Sequence, residues 1–140
     1  MVKIIRELVI GEEMKMTWRE EDMYPYVWRN LRARFPAYEG WEIYEKDRWK
    51  GYEPDFVVER RFRRRIERVV VEVKATCKVS WAHIKQLNMY ARNLSGRNVT
   101  IVEKILVVPA GADTSTVPDD IEVLYLRKFE CENNGIIWYQ

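Results

Sequence analysis

Three charged residues lie within or beside strongly apolar segments of this chain. Asp55 follows Pro54 at the start of one such segment, and Glu72 and Lys74 lie in the valine-rich segment 69–75. That segment has the composition of a strand buried on both faces. Residues two apart in a strand point to the same side, so Glu72 and Lys74 share a face. Because buried charge is costly unless it is compensated, the set indicates a metal, a phosphate or a polar cleft.

A hairpin between the two apolar segments would bring Asp55 beside Glu72 and Lys74. Magnesium prefers oxygen ligands and usually takes one or two carboxylates, with water and phosphate oxygens completing its shell. Asp55 and Glu72 would supply the carboxylates. Lys74, a compact point charge, would orient the attacking water or stabilise the developing negative charge. The three residues therefore predict a metal-dependent nuclease.

The surrounding sequence predicts the elements that position these residues. We expect a peripheral strand within residues 2–10, a helix to about Phe35, strands over 41–45, 55–59 and 66–75, a helix over 81–94, and strands within 99–108 and over 121–126. Pro109 is expected to end its strand, and the tail 131–140 to form a short edge strand or a contact surface. Hairpin strands with one helical crossover predict an α/β fold with a mixed central β-sheet flanked by α-helices.

The start of the first helix has two interpretations. Thr17 and Glu20 fit a capping box, with Thr17 as the N-cap residue. Pro25 would instead move the start towards Asp22, because proline is tolerated only in the first turn. In either case Val27 is predicted to face the core.

The bulk properties indicate one soluble domain over residues 1–140. The chain is 47% hydrophobic and 33% charged, and it has no apolar run of the roughly 20 residues that a membrane-spanning helix needs. Cys77 and Cys131 lack the spacing of a metal site and do not suggest a disulfide scaffold. We therefore expect a cytoplasmic protein with no membrane partner.

The net charge of +2 is unevenly distributed. Residues 60–68 contain six arginines and one glutamate, a charge of +5, which leaves −3 for the rest of the chain. A concentrated basic segment is typical of proteins that bind a phosphate backbone. The predicted contacts are Arg60, Arg61, Arg63, Arg64 and Arg65. The other interpretation, a solvated hairpin tip kept soluble by arginine, has about equal weight.

At these residues the chain resembles the PD-(D/E)xK nuclease superfamily, whose motif is matched by Pro54-Asp55 and Glu72-Val73-Lys74. It resembles the RecB-like branch more narrowly, because Gln86 and Tyr90 match the Q-x-x-x-Y motif of the following helix. The resemblance implies a restriction-endonuclease-like core in which these residues line the catalytic site.

The resemblance also implies a glutamate on the first helix that binds or supports the metal. Glu20 and Glu21 are the candidates. Glu20 is favoured because it continues the inward face of Val27 and Leu31, whereas Glu21 turns towards Trp28. The alternative, which we consider equally, is that Glu20 serves only as the partner of Thr17 in the capping box.

Each piece also has an ordinary structural interpretation. Glu72 and Lys74 could form an ion pair on an exposed strand, and Asp55 could be a turn residue. Gln86 and Tyr90 could be helix-surface residues. His83, the sole histidine, is expected at the surface or on the wall of its helix.

These patterns lead to a Mg²⁺-dependent (or Mn²⁺-dependent) deoxyribonuclease as the first hypothesis. The second is a non-catalytic nucleic-acid-binding or assembly module that retains the nuclease fold, and the third is a subunit that works only within a larger complex. A homodimer is a further expectation, with the tail around Trp138 and Tyr139 as its contact surface.

Overall fold

A computed structural model of the chain describes residues 3–7, 18–46, 53–133 and 135–139. Within these ranges the chain forms seven strands and two α-helices. Their bounds are β1 Lys3–Glu7, α1 Tyr24–Arg34, β2 Trp41–Glu45, β3 Phe56–Phe62, β4 Arg65–Val73, α2 Trp81–Leu94, β5 Val99–Ala110, β6 Glu122–Glu132 and β7 Gly135–Tyr139. A 3-10 turn, Glu20–Met23, leads directly into α1.

The seven strands form one mixed sheet in the order β1-β7-β6-β5-β4-β3-β2. Strands β2, β3 and β4 are an antiparallel meander, and β4, β5 and β6 run parallel to one another. Helix α2 makes the crossover from β4 to β5, as parallel neighbours require. The predicted mixed α/β sheet is therefore confirmed, while the restriction-endonuclease-like core stays a prediction.

The two helices contribute to cores on opposite faces of the sheet. Val69, Val71 and Val73 belong to the core that contains the buried residues of α1, whereas Val70 belongs to the core under α2. This alternation is the period-two pattern of a strand covered on both sides. It leaves Glu72 on the α2 side, among groups that can compensate its charge.

Each helix follows from its own sequence. Helix α1 buries Val27 and Leu31 one turn apart, and it stops at Arg34, just before Pro36. Helix α2 begins after its N-cap residue Ser80 and has the predicted bounds. Its buried stripe consists of Ile84, Leu87, Tyr90 and Ala91.

Helix α1 starts at Tyr24, after the 3-10 turn. The amide of Arg19 donates to the Asp22 carboxylate over 2.6 Å at the start of that turn. The predicted N-cap residue, Thr17, lies outside the described residues. Pro25 stands in the first turn of α1, where its missing N–H costs no helical hydrogen bond.

Two strand predictions were wrong. Pro109 lies inside β5 instead of ending it, and a register shift between Pro109 and Ala110 accommodates the proline at the pairing with β6. The tail strand β7 is not at the edge, because it pairs with β1 on one side and β6 on the other. The predicted strand near the N-terminus is confirmed over Lys3–Glu7 and occupies that edge.

The cysteines differ from expectation as well. Cys77 and Cys131 form a disulfide, with their Cα atoms 5.6 Å apart. Strand β6 extends beyond the predicted 121–126 to Glu132, which brings Cys131 beside the segment that follows β4. Neither helix in the described part of the chain is both long enough and apolar enough to cross a membrane.

Candidate active site

The β3–β4 hairpin brings the two predicted carboxylates together. Asp55 directly precedes β3 and Glu72 is the penultimate residue of β4. Since Phe56 pairs with Val71 in the antiparallel register, both acids lie at the same end of the hairpin. Their exposed fractions are only 2% and 4%, so both are removed from bulk water.

Hydrogen bonds lock these carboxylates to each other's strand. The amide N–H of Asp55 donates to Glu72 Oε1 over 2.9 Å. The amide of Val73 donates to Asp55 Oδ2 over 2.6 Å. Because both donors are backbone groups of the hairpin, its register fixes the positions of both carboxylates.

Lys74 connects this pair to helix α2. Its Nζ lies 3.4 Å from Glu72 Oε2 and donates to Gln86 Oε1 over 2.7 Å. The Gln86 amide in turn donates to the Tyr90 hydroxyl over 3.3 Å. Gln86 and Tyr90 share one face of α2, as predicted from their spacing of four. The helix therefore orients the lysine through a chain of side chains.

His83 lies about one turn before Gln86 on α2 and is half-buried. Its Nδ1 accepts the amide N–H of Ser80 over 3.1 Å. Burial and the charge of Lys74 lower its pKa. The histidine thus caps its own helix.

Glu20 reaches the end of β4. Its Oε2 accepts the amide N–H of Ala75 over 2.8 Å, which joins the turn before α1 to the segment after Lys74. Glu20 is half-buried, whereas Glu21 is exposed. Of the two candidate glutamates, Glu20 is the one that bonds to the segment directly after β4, one residue beyond Lys74.

Two further residues complete the site, and the motif gave no indication of them. The Tyr24 hydroxyl donates to Asp55 Oδ1. The Lys46 ammonium pairs with the same oxygen over 3.0 Å. Lys46 follows β2 directly, and the pairing of Glu45 with Phe56 sets it opposite Asp55. The sequence did not predict how β2 and β3 pair, and Lys46 is identified as a site residue only by that register.

The charges of the site act strongly on one another. Burial raises the pKa of Glu72 to about 7, the charge of Asp55 adds to this, and Lys74 opposes it. Burial and the Asp55 carboxylate raise the pKa of Tyr24, so this phenol stays a hydrogen-bond donor. Burial alone would lower the pKa of Lys46, but its bond to Asp55 and the nearby carboxylate charges together outweigh this, and the pKa is raised.

The donor chemistry fits a hard divalent cation. Burial and, second to it, the neighbouring Asp55 charge raise the pKa of Glu72, and a cation between the two carboxylates would offset both effects. No group of three or more His, Cys, Asp or Glu side chains in the described ranges is arranged to hold a metal. A cation here would therefore depend on two carboxylates with water or substrate oxygens, which Mg²⁺ accepts.

The arginines lie at the other end of the hairpin. Strand β3 runs to Phe62, beyond the predicted 59, so the tip is about 23 Å from Asp55 at ~3.3 Å per residue. Arg60 and Arg61 belong to the strand and pair with Glu67 over 2.8 Å and Glu59 over 3.2 Å.

The remaining three arginines, Arg63, Arg64 and Arg65, are exposed at the tip. Arg63 adopts a φ of 57° in the turn, and its guanidinium lies 5.7 Å from the Phe62 ring centroid. The hairpin thus separates a carboxylate end from a basic end.

The C-terminal tail, which was expected to form a dimer contact surface, packs part of its aromatic side chains inside the protein. The Trp138 ring stacks on Phe129 at 5.4 Å, and its Nε1 donates to the Tyr26 hydroxyl over 3.1 Å. These contacts belong to the core on the α1 face. A role of Trp138 in a dimer interface therefore gains no support from its position.

Comparison of the chain with protein-family models, with curated proteins and with solved structures finds no match.

Proposed function

We propose that the protein is a metal-dependent nuclease that hydrolyses phosphodiester bonds in DNA. One observation carries this proposal. Asp55 and Glu72, both more than nine-tenths buried, come together at one end of a hairpin beside Lys74. Burying two like charges together is costly, and the cost is offset by opposite charges such as lysines or a bound cation. The chemistry of these three groups is that expected for phosphodiester hydrolysis.

The roles follow from the positions of the residues. Asp55 and Glu72 would hold Mg²⁺ or Mn²⁺, and Glu20 would support the metal shell by fixing the end of β4. When bound, the cation supplies charge neutralisation for the phosphate under attack. Lys74 orients the attacking water and stabilises the negative charge that develops on the phosphate.

Gln86 and Tyr90 position this lysine. The 2.7 Å bond from Lys74 to Gln86 removes freedom from a long side chain before the substrate arrives. Tyr90 anchors Gln86 from one turn further along α2. These two residues are positioning residues of the proposed site.

DNA is the proposed substrate, and the basic hairpin tip is the proposed backbone contact. Arg63, Arg64 and Arg65 are exposed there, and Arg60 and Arg61 continue the basic surface into β3. Such contacts hold the phosphate backbone without reading sequence. The restriction-endonuclease-like core, membership of the PD-(D/E)xK superfamily, a homodimer and a cytoplasmic location belong to the same proposal.

The alternative is a nucleic-acid-binding module without catalysis. It is favoured by the two lysines, since Lys46 and Lys74 already balance the charges of Asp55 and Glu72. On this view the buried cluster only stabilises the fold. Calorimetric titration with Mg²⁺ or Mn²⁺ separates the two: only a nuclease gives a heat of binding that Asp55→Asn removes.

The test of activity is digestion of labelled linear, flapped and four-way-junction DNA, with Mg²⁺, with Mn²⁺ and with chelator. The wild type should cut at least one substrate with metal and none with chelator. Asp55→Asn and Lys74→Met should each lose at least ~100-fold in rate, the order expected when a transition-state contact is removed. Asp119→Asn, which removes an exposed loop carboxylate, is the matched control and should cut like the wild type.

Thermal melting of each variant checks that it is folded. Metal-independent cleavage, or a folded Asp55→Asn that cuts at the wild-type rate, would contradict the proposal.

A further inference from the structure

Every carboxylate oxygen of the Asp55–Glu72 pair already has a donor from the protein. Asp55 Oδ1 receives two side-chain donors, and each of the other three oxygens receives one. The donors are the Tyr24 hydroxyl, Lys46 Nζ, the Val73 amide, the Asp55 amide and Lys74 Nζ. A carboxylate oxygen has two acceptor lone pairs, so Asp55 Oδ1 is the one already fully used. A cation that binds this oxygen must displace Tyr24 or Lys46.

Most of the donors are held in place by the fold. The two amides belong to the hairpin, and the Tyr24 ring packs edge-on against Phe56 at 5.0 Å. Lys74 is anchored by Gln86 over 2.7 Å. None of these can withdraw without disturbing a strand, an aromatic contact or the proposed catalytic lysine.

Lys46 is the donor that is free to move aside. Its side chain is 31% exposed, against 19% for Lys74. It lines two open clefts of about 320 and 420 Å³, one beside Pro54 and Val57, the other beside Tyr24 and Pro25. As far as the described residues show, this long, flexible ammonium side chain has open space on two sides and can leave its carboxylate at little steric cost.

The balance of charge in the cluster also singles out Lys46 as the donor that moves. Once Glu72 is ionised, two carboxylates and two ammonium groups sum to zero, so the cluster is then balanced without a metal. A divalent cation adds two positive charges at close range, which repels the nearest ammonium group that can move. The excess positive charge that results suits a phosphodiester substrate.

We propose that Lys46 is the resident counter-ion of the metal site. It neutralises Asp55 in the metal-free protein and leaves Asp55 Oδ1 when the divalent cation enters. The released ammonium group then pairs with a phosphate oxygen of the DNA. Only ionic contacts are exchanged, and no bond is made or broken. The inference rests on the proposed function, because it needs a cation at Asp55 and Glu72.

The first test measures metal affinity without any cleavage. Mn²⁺ binding, followed by electron paramagnetic resonance of free Mn²⁺, should be about tenfold tighter in Lys46→Met than in the wild type, because a competing positive charge is gone. Lys46→Arg keeps the charge and should bind like the wild type. Lys128→Met, which removes an exposed charge on β6, controls for net charge and should also leave the affinity unchanged.

The outcomes separate the two proposals. Unchanged or weaker Mn²⁺ binding in Lys46→Met overturns the counter-ion role, and the metal site stands if Asp55→Asn still abolishes binding in the wild-type background. Mn²⁺ binding that does not depend on Asp55 overturns the metal site, and the proposed function and this inference then fail together.

A second test uses the wild-type chain, so it does not depend on a variant that folds. Pulse acetylation followed by mass spectrometry should show Lys46 at least about threefold more reactive with Mg²⁺ than without it, since its amine has left the carboxylate. Exposed Lys128 is the internal reference. Equal reactivity with and without Mg²⁺ contradicts the release of Lys46. In the cleavage assay at saturating Mg²⁺, Lys46→Met should raise KM for DNA more than it lowers kcat.

Discussion

At the scale of single residues, the site depends on charge placed where water does not reach. Asp55 and Glu72 are held by each other's strands through backbone donors, and Lys74 is aimed by Gln86. Strand periodicity predicted that Glu72 and Lys74 share a face, and the expected hairpin placed Asp55 beside them. Gln86 was implied only by the resemblance to the nuclease superfamily. Lys46 was not predicted, because its position depends on the β2–β3 register, which apolar patterning around 41–59 did not define.

Glu72 should make the stability of the metal-free protein depend on pH. Its pKa rises from 4.5 to about 7, first through burial and then through Asp55. The folded state therefore keeps a proton that the unfolded state releases, so stability falls as pH rises from about 4.5 to 7. Each tenfold difference in the proton affinity of Glu72 between the folded and unfolded states changes the free energy of unfolding by ~1.4 kcal/mol.

Urea unfolding in chelator across that pH range tests this expectation. The free energy of unfolding of Glu72→Gln should change less with pH than that of the wild type. The isosteric amide can still accept the Asp55 N–H, so this variant is expected to fold. Because the pKa of Glu103 is also raised to about 7, Glu103→Gln is a necessary parallel variant. A wild-type slope retained in Glu72→Gln would contradict the assignment.

At the scale of elements, the β3–β4 hairpin has two different ends. Its open end carries the carboxylates, and its tip carries arginines and the exposed ring of Phe62. The hairpin itself was predicted, but β3 was expected to end at Glu59 and β4 to continue to Ala75 instead of Val73. Pairing continues to Phe62 and Arg65 because Arg60–Glu67 and Arg68–Glu59 ion pairs offset the like charges along it.

Neutralising the tip should weaken DNA binding without disabling the chemistry. The triple variant Arg63→Gln, Arg64→Gln, Arg65→Gln should bind duplex DNA more weakly. The slope of log affinity against log salt should become shallower by about 0.9 for each phosphate that the tip no longer neutralises. The kcat of this variant at saturating DNA should stay within about threefold of the wild type, because the tip lies far from the carboxylates.

Fluorescence anisotropy at several salt concentrations measures the binding of this variant. Lys128→Gln and Arg127→Gln, two exposed charges on β6, form the matched control. An unchanged affinity and salt slope in the triple variant would contradict DNA binding by the tip and would favour its interpretation as a solvated turn.

At the scale of the whole molecule, one mixed sheet carries a core on each face and presents the site at one end of the β3–β4 hairpin. The α/β class, the crossover helix and the order of the central elements could be predicted from periodicity and turn residues. Strand β7 between β1 and β6, and the Cys77–Cys131 disulfide, could not. Both arise from contacts between distant segments that leave no local pattern.

The disulfide should contribute to stability. It links residues 54 apart, and a loop of that length corresponds to about 2–4 kcal/mol when the bond is intact. Cys131→Ser should lower the free energy of unfolding accordingly, and a reductant should shift the wild type towards the same value. Thiol titration in denaturant provides the control, since the oxidised wild type should show no free thiol. Two free thiols and no effect of reductant would contradict the pairing in solution.

The central claim is that Asp55 and Glu72 share one divalent cation. The most direct measurement is anomalous X-ray scattering from crystals of the wild type grown with Mn²⁺. We expect a single strong peak roughly 2.0–2.3 Å from one oxygen of each carboxylate, the distance of a direct oxygen ligand. The same crystals should show the Lys46 ammonium group displaced from Asp55. An occupied Mn²⁺ site elsewhere, with both carboxylates still bound only by their protein donors, would contradict the account.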